Sequence, residues 1–157
     1  MSRRLGTGGA RIDRARRVGF SWNGRPLQGY AGDTLASALL ANGETLVGRS
    51  FKYHRPRGIV ASGVEEPNAL VGIRAGGAFE PNARATIVPL VEGLAARSQN
   101  HWPSLERDFG AVAARAAGLL PAGFYYKTFL QPRAAWKHVF EPLIRRSAGL
   151  GAAPTRP

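Results

Sequence analysis

The residues with the most chemical reach in this 157-residue chain are basic. The run Arg49-Ser-Phe-Lys52-Tyr-His54-Arg55-Pro-Arg57 sets four permanent cations, a histidine and two aromatic rings within nine positions. A guanidinium fork matches the oxygens of a phosphate or a carboxylate. Arg49, Lys52, Arg55 and Arg57 are therefore candidates for holding a phosphate, an acidic protein surface or an anionic cofactor. The plainer reading is a solvated basic loop that ties this unit to its neighbours. A second basic run comprises Arg3, Arg4, Arg11, Arg14, Arg16 and Arg17, opposed only by Asp13.

Other chemistry is mostly excluded. The chain has no Cys, which removes disulfides, thiolate nucleophiles, cysteine-ligated zinc and cysteine-ligated iron–sulfur clusters. His54, His101 and His138 are scattered without metal-ligand spacing and read as ordinary surface or interface histidines. Gly6-Thr-Gly8-Gly9-Ala-Arg11 begins like a dinucleotide fingerprint, but Arg11 stands at the third glycine and no strand precedes it. There is no Walker A loop and no nucleophile elbow. Glu65-Glu66, the one carboxylate pair, reads as two solvated neighbours in a loop. On residues alone the chain is not a self-sufficient enzyme.

The elements that position these residues are legible in part. Arg17–Trp22 and Arg25–Tyr30 flank Asn23-Gly24, a pair that tolerates the positive φ of a tight hairpin turn. Val18, Phe20 and Trp22 then share a face, and Pro26 places the second strand at an edge. Asp33 is the expected N-cap of a short helix carrying Leu35, Ala36, Ala38, Leu39 and Ala41, and Gly43 ends it. Thr45–Val47, Ala69–Ile73 and Arg84–Leu90 read as strands, with a turn-rich stretch over 72–82. Hairpin, helix and strand in that order open a β-grasp, an α+β fold in which one helix crosses a mixed sheet. Beyond His101 the chain changes character, holding eight of its 14 aromatics. Leu105, Phe109, Val112, Ala116 and Leu119 recur at helical spacing, with Glu106 and Asp108 near the favourable N-terminal end, as do Trp136, Val139, Phe140, Leu143 and Ile144, where Pro142 should kink the helix. The expected division is a basic flexible arm (1–15), a β-grasp unit (16–100), a helical extension forming an interface (101–147) and a flexible tail (148–157).

Several long, irregular strings carry a resemblance. Gly29-Tyr-Ala-Gly-Asp-Thr-Leu-Ala-Ser-Ala-Leu-Leu-Ala-Asn-Gly43 and Val47-Gly-Arg-Ser-Phe-Lys-Tyr-His-Arg-Pro-Arg-Gly58 are two of them. Ala96-Arg-Ser-Gln-Asn100, Leu120-Pro-Ala-Gly-Phe-Tyr-Tyr-Lys-Thr-Phe129 and Phe140-Glu-Pro-Leu-Ile-Arg-Arg146 are others. Together they resemble the N-terminal segment of the α subunit of heterotetrameric sarcosine oxidase. The resemblance implies a plant-type 2Fe-2S ferredoxin scaffold, whose ligands follow C-x4-C-x2-C with a fourth Cys further on. Counted from Arg57-Gly58, the ligand positions fall on Ala61, Glu66, Ala69 and Thr86, so the cluster is expected to be absent. The family oxidises sarcosine to glycine and formaldehyde, reducing O2 to hydrogen peroxide, with tetrahydrofolate as one-carbon acceptor. Its cofactors are FAD, FMN and NAD, and the resemblance implies that Arg49, Lys52, Arg55 and Arg57 help hold a flavin phosphate or an acidic subunit face. The implied partners of this segment are the remainder of the α subunit and the β, γ and δ subunits. The segment alone, without the Rossmann fingerprint that binds NAD, is expected to be inactive and to be poorly soluble or oligomeric.

The formal charge of +12 admits a rival, a nucleic-acid-binding module using the cations with Phe51 and Tyr53. Nineteen of the 22 basic residues are Arg in an Ala- and Gly-rich chain, so coding bias accounts for part of that charge. Met1-Ser-Arg-Arg-Leu lacks the apolar stretch of an export signal, and no run approaches the ~18 apolar residues of a membrane span. A soluble, cytoplasmic protein without membrane partners is expected.

Overall fold

The computed structural model describes residues 3–51, 53–112, 132–147 and 153–155. Strand β1 (Asp13–Trp22) turns at Asn23 and Gly24 into β2 (Arg25–Ala31). Both turn residues have positive φ, 49° and 80°, as the Asn-Gly pair predicts. The strands pair antiparallel, with a bulge between Asp13 and Arg17 that starts β1 earlier than its hydrophobic pattern suggests. Helix α1 (Leu35–Ala41) follows, then the two-residue strands β3 (Gly48–Arg49) and β4 (Pro56–Arg57), which pair only with each other. Strands β5 (Leu70–Ala75), β6 (Ala78–Arg84) and β7 (Leu94–Arg97) complete a five-stranded sheet of order β2-β1-β7-β5-β6. Within it β1 and β7 are parallel and the other neighbours antiparallel. This is the mixed, β-grasp-like α+β arrangement, with β2 at an edge as Pro26 requires.

The core lies between the sheet and α1. Val18, Phe20 and Trp22 of β1 join Leu35, Ala36, Ala38 and Leu39 of the helix, with Val71 and Leu94 from later strands. Leu35 and Leu39 are fully buried, each contributing about 1.5–3 kcal/mol relative to exposure. Alanines on the same helical face let it lie close to the sheet. Gly29 of β2 faces this helix, and a Cβ there would collide with Leu90 and press on Ala38.

Three expectations need correction and a fourth is sharpened. Thr34, not Asp33, is the N-cap: its hydroxyl accepts from the Ser37 N–H while the Ser37 hydroxyl accepts from the Thr34 N–H. Asp33 is instead a buried acceptor for the Tyr30 N–H at 2.9 Å, the Ser37 hydroxyl at 2.6 Å and Arg4 at 2.6 Å. Residues 84–90 do not form a strand beyond Arg84. They run past the start of α1, where the carbonyls of Ala85 and Val88 accept the N–H groups of Ala36 and Leu35. The helix thus satisfies donors that would otherwise be orphaned at its N-terminus. The turn in the turn-rich stretch 72–82 is confined to Gly76 and Gly77, both with positive φ, and strands β5 and β6 take up the rest as a hairpin. The Thr45–Val47 segment is not a strand; pairing begins at Gly48.

The basic N-terminal residues are anchored at several points. Arg3 donates its N–H to the Ala41 carbonyl, and Arg14 reaches back to the carbonyls of Leu5 and Gly8. After β7, Leu105 is buried in irregular chain, and Phe109–Ala111 forms a short 3-10 turn within the span of the expected helix, whose residues beyond Val112 lie outside the described residues. Ala116, Leu119 and the aromatic run 124–129 lie outside the described residues. A helical stretch over 133–147 contains a π-type turn at Trp136–Phe140, separated from Pro142 by Glu141 alone. Proline offers no N–H to the preceding turn, which accounts for the irregularity there. Thr155 forms an isolated bridge with Phe79, exchanging backbone bonds of 3.1 and 2.9 Å along the outer edge of β6.

Candidate functional site

The four mapped ligand positions occupy one neighbourhood. Between β4 and β5 the chain loops through residues 58–69, and Glu66 at its centre is fully buried. Its Oε2 accepts the N–H groups of Val60 at 2.8 Å and Ala61 at 2.6 Å. Its Oε1 accepts those of Asn68 at 2.7 Å and Ala69 at 3.1 Å. The expectation of a solvated Glu65-Glu66 pair is therefore wrong for Glu66. Burial would raise its carboxyl, but the backbone donors of Ala61, Asn68, Val60 and Ala69 outweigh that and hold its pKa below the ordinary 4.5. Thr86, also buried, donates its hydroxyl to the Gly63 carbonyl at 2.8 Å and pins the tip of the loop. Three of the four positions are thus joined directly through Glu66, and the fourth holds the same loop from the other side.

The basic residues are spread over different tasks. Arg49 on β3 is turned inward, its side chain 9% exposed. It donates to the carbonyls of Leu105 at 2.8 Å, His54 at 3.0 Å and Glu106 at 3.4 Å. Beyond these, its Nε lies 3.5 Å from the Asp108 carboxylate. Arg57 on β4 donates to the Asn68 side chain at 2.9 Å, bracing the Glu66 loop. Arg55 is exposed and lies over the Tyr53 ring at 5.0 Å. Lys52 lies outside the described residues. Arg49 is thus already engaged by protein acceptors, while Arg55 is, among the described residues of this set, the cation that faces solvent.

Asp108 organises the second half of this region: the sequence places it near a helix N-terminus, and it caps the Phe109–Ala111 turn, but its other partners leave no sequence signal. Its side chain is fully buried. Oδ1 accepts from the N–H groups of Trp102 at 2.9 Å and Gly110 at 3.1 Å, and Oδ2 meets His54 Nδ1 at 2.7 Å. Burial would raise its carboxyl, but the Trp102 N–H, His54 and the Gly110 N–H together hold it below 3.8. Gly110 is required here, because a Cβ would overlap the His54 ring. His101 bonds the Ser98 hydroxyl at 2.8 Å, and that hydroxyl also contacts Asn23 at 3.0 Å. Among the described residues, no group of three His, Asp or Glu side chains could hold a metal ion. Outside these networks, Trp102 and Phe109 stack edge to face at 5.3 Å and remain 67% and 61% exposed.

Residues 15–101 match the family described as "2Fe-2S iron-sulfur cluster binding domain". The chain belongs to that family. Its curated relatives include the sarcosine oxidase subunit alpha of Rhizobium meliloti strain 1021, 61% identical over 142 residues, which span 90% of this chain and 14% of the relative. The sarcosine oxidase subunit alpha of Corynebacterium sp. strain P-1 is 46% identical over 90 residues, or 55% of this chain and 9% of the relative. The chain therefore spans about a seventh of the Rhizobium subunit. A crystal structure of L-proline dehydrogenase from P. horikoshii is similar at 24% identity and a TM-score of 0.43, covering 55% of this chain and 16% of that one.

Membership invites a test of fit. A 2Fe-2S cluster of the plant type is held by four thiolates, and this chain has none. At the mapped positions stand two methyl groups, a hydroxyl already donating to a carbonyl and a carboxylate whose oxygens each accept two N–H groups. These residues do not fit a cluster.

Proposed function

We propose that this chain is a cluster-free, ferredoxin-like assembly segment of the α subunit of a sarcosine-oxidising enzyme. The observation that supports it is the 61% identity to a sarcosine oxidase subunit alpha, sustained across 90% of the chain. In this reading the enzyme oxidises sarcosine with O2 and water to glycine, formaldehyde and hydrogen peroxide, passing the one-carbon unit to tetrahydrofolate when it is present. FAD, FMN and NAD belong to other parts of the complex. The segment contributes surface rather than redox chemistry, and alone it turns over nothing. Its partners are the remaining α sequence and the β, γ and δ subunits, assembled in the cytoplasm. The β-grasp unit of residues 16–100 forms the scaffold, and residues 101–147, with the exposed Trp102 and Phe109, supply an interface. No helix among the described residues is long and apolar enough to cross a membrane. The nucleic-acid alternative has less support, since Arg4, Arg25, Arg49 and Arg57 are engaged by acceptors within the chain.

The test is co-expression of the four subunits with and without these 157 residues. Loss of the assembled complex, and of sarcosine-dependent peroxide release, supports the reading. A complex that assembles and turns over sarcosine equally well without them overturns it.

A further inference from the structure

The failure of fit at the mapped cluster positions has a specific form. A loop that wraps an iron–sulfur cluster presents backbone N–H groups to an anionic centre, because hydrogen bonds to the sulfurs stabilise it. Here four N–H groups, from Val60, Ala61, Asn68 and Ala69, converge within 2.6–3.1 Å on one buried carboxylate. That carboxylate belongs to Glu66, itself one of the four mapped positions. A buried anion that forms no ion pair among the described residues needs this many donors to remain ionised. Ala61 and Ala69 contribute only their amides, which leaves the Glu66 side chain room to lie between them. Thr86 keeps its position's tie to the loop through the Gly63 carbonyl.

We propose that residues 60–69 retain the anion cradle of a cluster-binding loop, and that the Glu66 carboxylate fills it in the cluster's place. The chain supplies its own anion, so the loop closes without iron, sulfide or thiols. This inference concerns the loop alone and stands whether or not the proposed sarcosine-oxidase role is correct.

Amide hydrogen exchange on the 157-residue chain tests it. In Glu66→Ala, exchange at residues 60, 61, 68 and 69 should quicken at least about tenfold relative to the sheet amides. Added formate should slow it again, because a small carboxylate can enter the vacated cradle, whereas formamide should not. Glu66→Gln, which preserves shape, is the second variant. Only the two amides that face its new NH2 group should lose protection, while the pair facing its oxygen stays protected. Unchanged exchange at all four amides in both variants overturns the proposal, as does a Glu66→Ala loop that formamide rescues as well as formate. A separate arm tests the correspondence of positions. The combined Ala61→Cys, Glu66→Cys, Ala69→Cys, Thr86→Cys chain is incubated anaerobically with ferrous iron and sulfide. Uptake of about two irons per chain, with the visible absorption of a 2Fe-2S centre, supports it. A folded chain of native circular dichroism that takes up no iron overturns it.

Discussion

Replacing Asp108 by Asn divides its bonds cleanly, because the two carboxylate oxygens serve different partners. Oδ1 accepts the Trp102 and Gly110 N–H groups, and the Asn oxygen can continue to do so. The new NH2 then stands where Oδ2 met His54 at 2.7 Å and Arg49 at 3.5 Å. Neutral His54 can turn its unprotonated Nδ1 toward that NH2, so this bond is partly recovered. Arg49 loses its only carboxylate among the described ion pairs but keeps three carbonyl acceptors, which moderates the usual cost of orphaning a buried charge. The expected loss is about 2–3 kcal/mol, a fall of about 5–10 °C in Tm for a chain this size. Asp108→Ala also strands the Trp102 and Gly110 donors and should lose at least about 2 kcal/mol more.

The pH dependence fixes the origin of the effect. The folded Asp108 carboxyl titrates below its ordinary 3.8, so its contribution is complete above that value and is lost as pH falls through the lower, folded one. The Tm gap between parent and Asp108→Asn should therefore narrow only as pH falls below the ordinary 3.8, and close once pH is below the folded carboxyl's lower value. Thermal melts followed by circular dichroism measure both. An Asp108→Asn chain melting within about 1 °C of the parent at neutral pH would refute the assignment of Asp108 as the tie between the basic loop and residues 101–110.

Two further outcomes are expected. Thr34→Ala removes half of the reciprocal cap with Ser37 and should cost about 1 kcal/mol by urea denaturation with an unchanged slope; no loss would show that the carbonyls of Ala85 and Val88 suffice to start α1. Gly29→Ala drives a methyl into Leu90 and Ala38 and should cost about 1–3 kcal/mol in the same assay, whereas a neutral result would mean that the helix can lift from the sheet.

The parts of the fold that could be read from the sequence are those fixed by local chemistry. The Asn23-Gly24 turn demands positive φ, and the alternation of Val18, Phe20 and Trp22 assigns a buried face without knowledge of the partner strand. Strand β7 escaped because Leu94-Ala-Ala-Arg97 has no β-branched residue; small side chains suit it to the centre of the sheet, which is a tertiary fact. The reverse error at Thr86-Ile87-Val88 has the same root, since β-branched residues there serve a segment whose carbonyls cap a helix. Asp33 was recognised as important for the wrong bonds: a carboxylate one residue before the cap satisfies the turn, the helix and Arg4 together. Glu66 was hidden for a different reason. Its partners are backbone amides, which leave no trace in side-chain spacing, so the sequence could locate the position but not what the carboxylate does there. Asp108 was legible only as an acid near a helix N-terminus, and the approach of two distant loops reveals its bonds to His54 and Arg49.

The place of β7 governs the order in which this molecule can come together. Phe20 on β1 and Leu94 on β7 are paired although about seventy residues separate them, and Ile73 on β5 pairs with Ala96 from the opposite side. Each flanking hairpin, β1–β2 and β5–β6, closes on its own tight turn and can form early as the chain emerges. Neither shares a ladder with the other, so the sheet stays in two halves until a four-residue strand slides between them. Closing so long a loop carries the entropy that slows folding in chains dominated by distant contacts. The last strand of the sheet to be synthesised is therefore the one that makes it a single object, and in a nascent chain stopped before Leu94 the two hairpins share no ladder and meet only through the packing around α1.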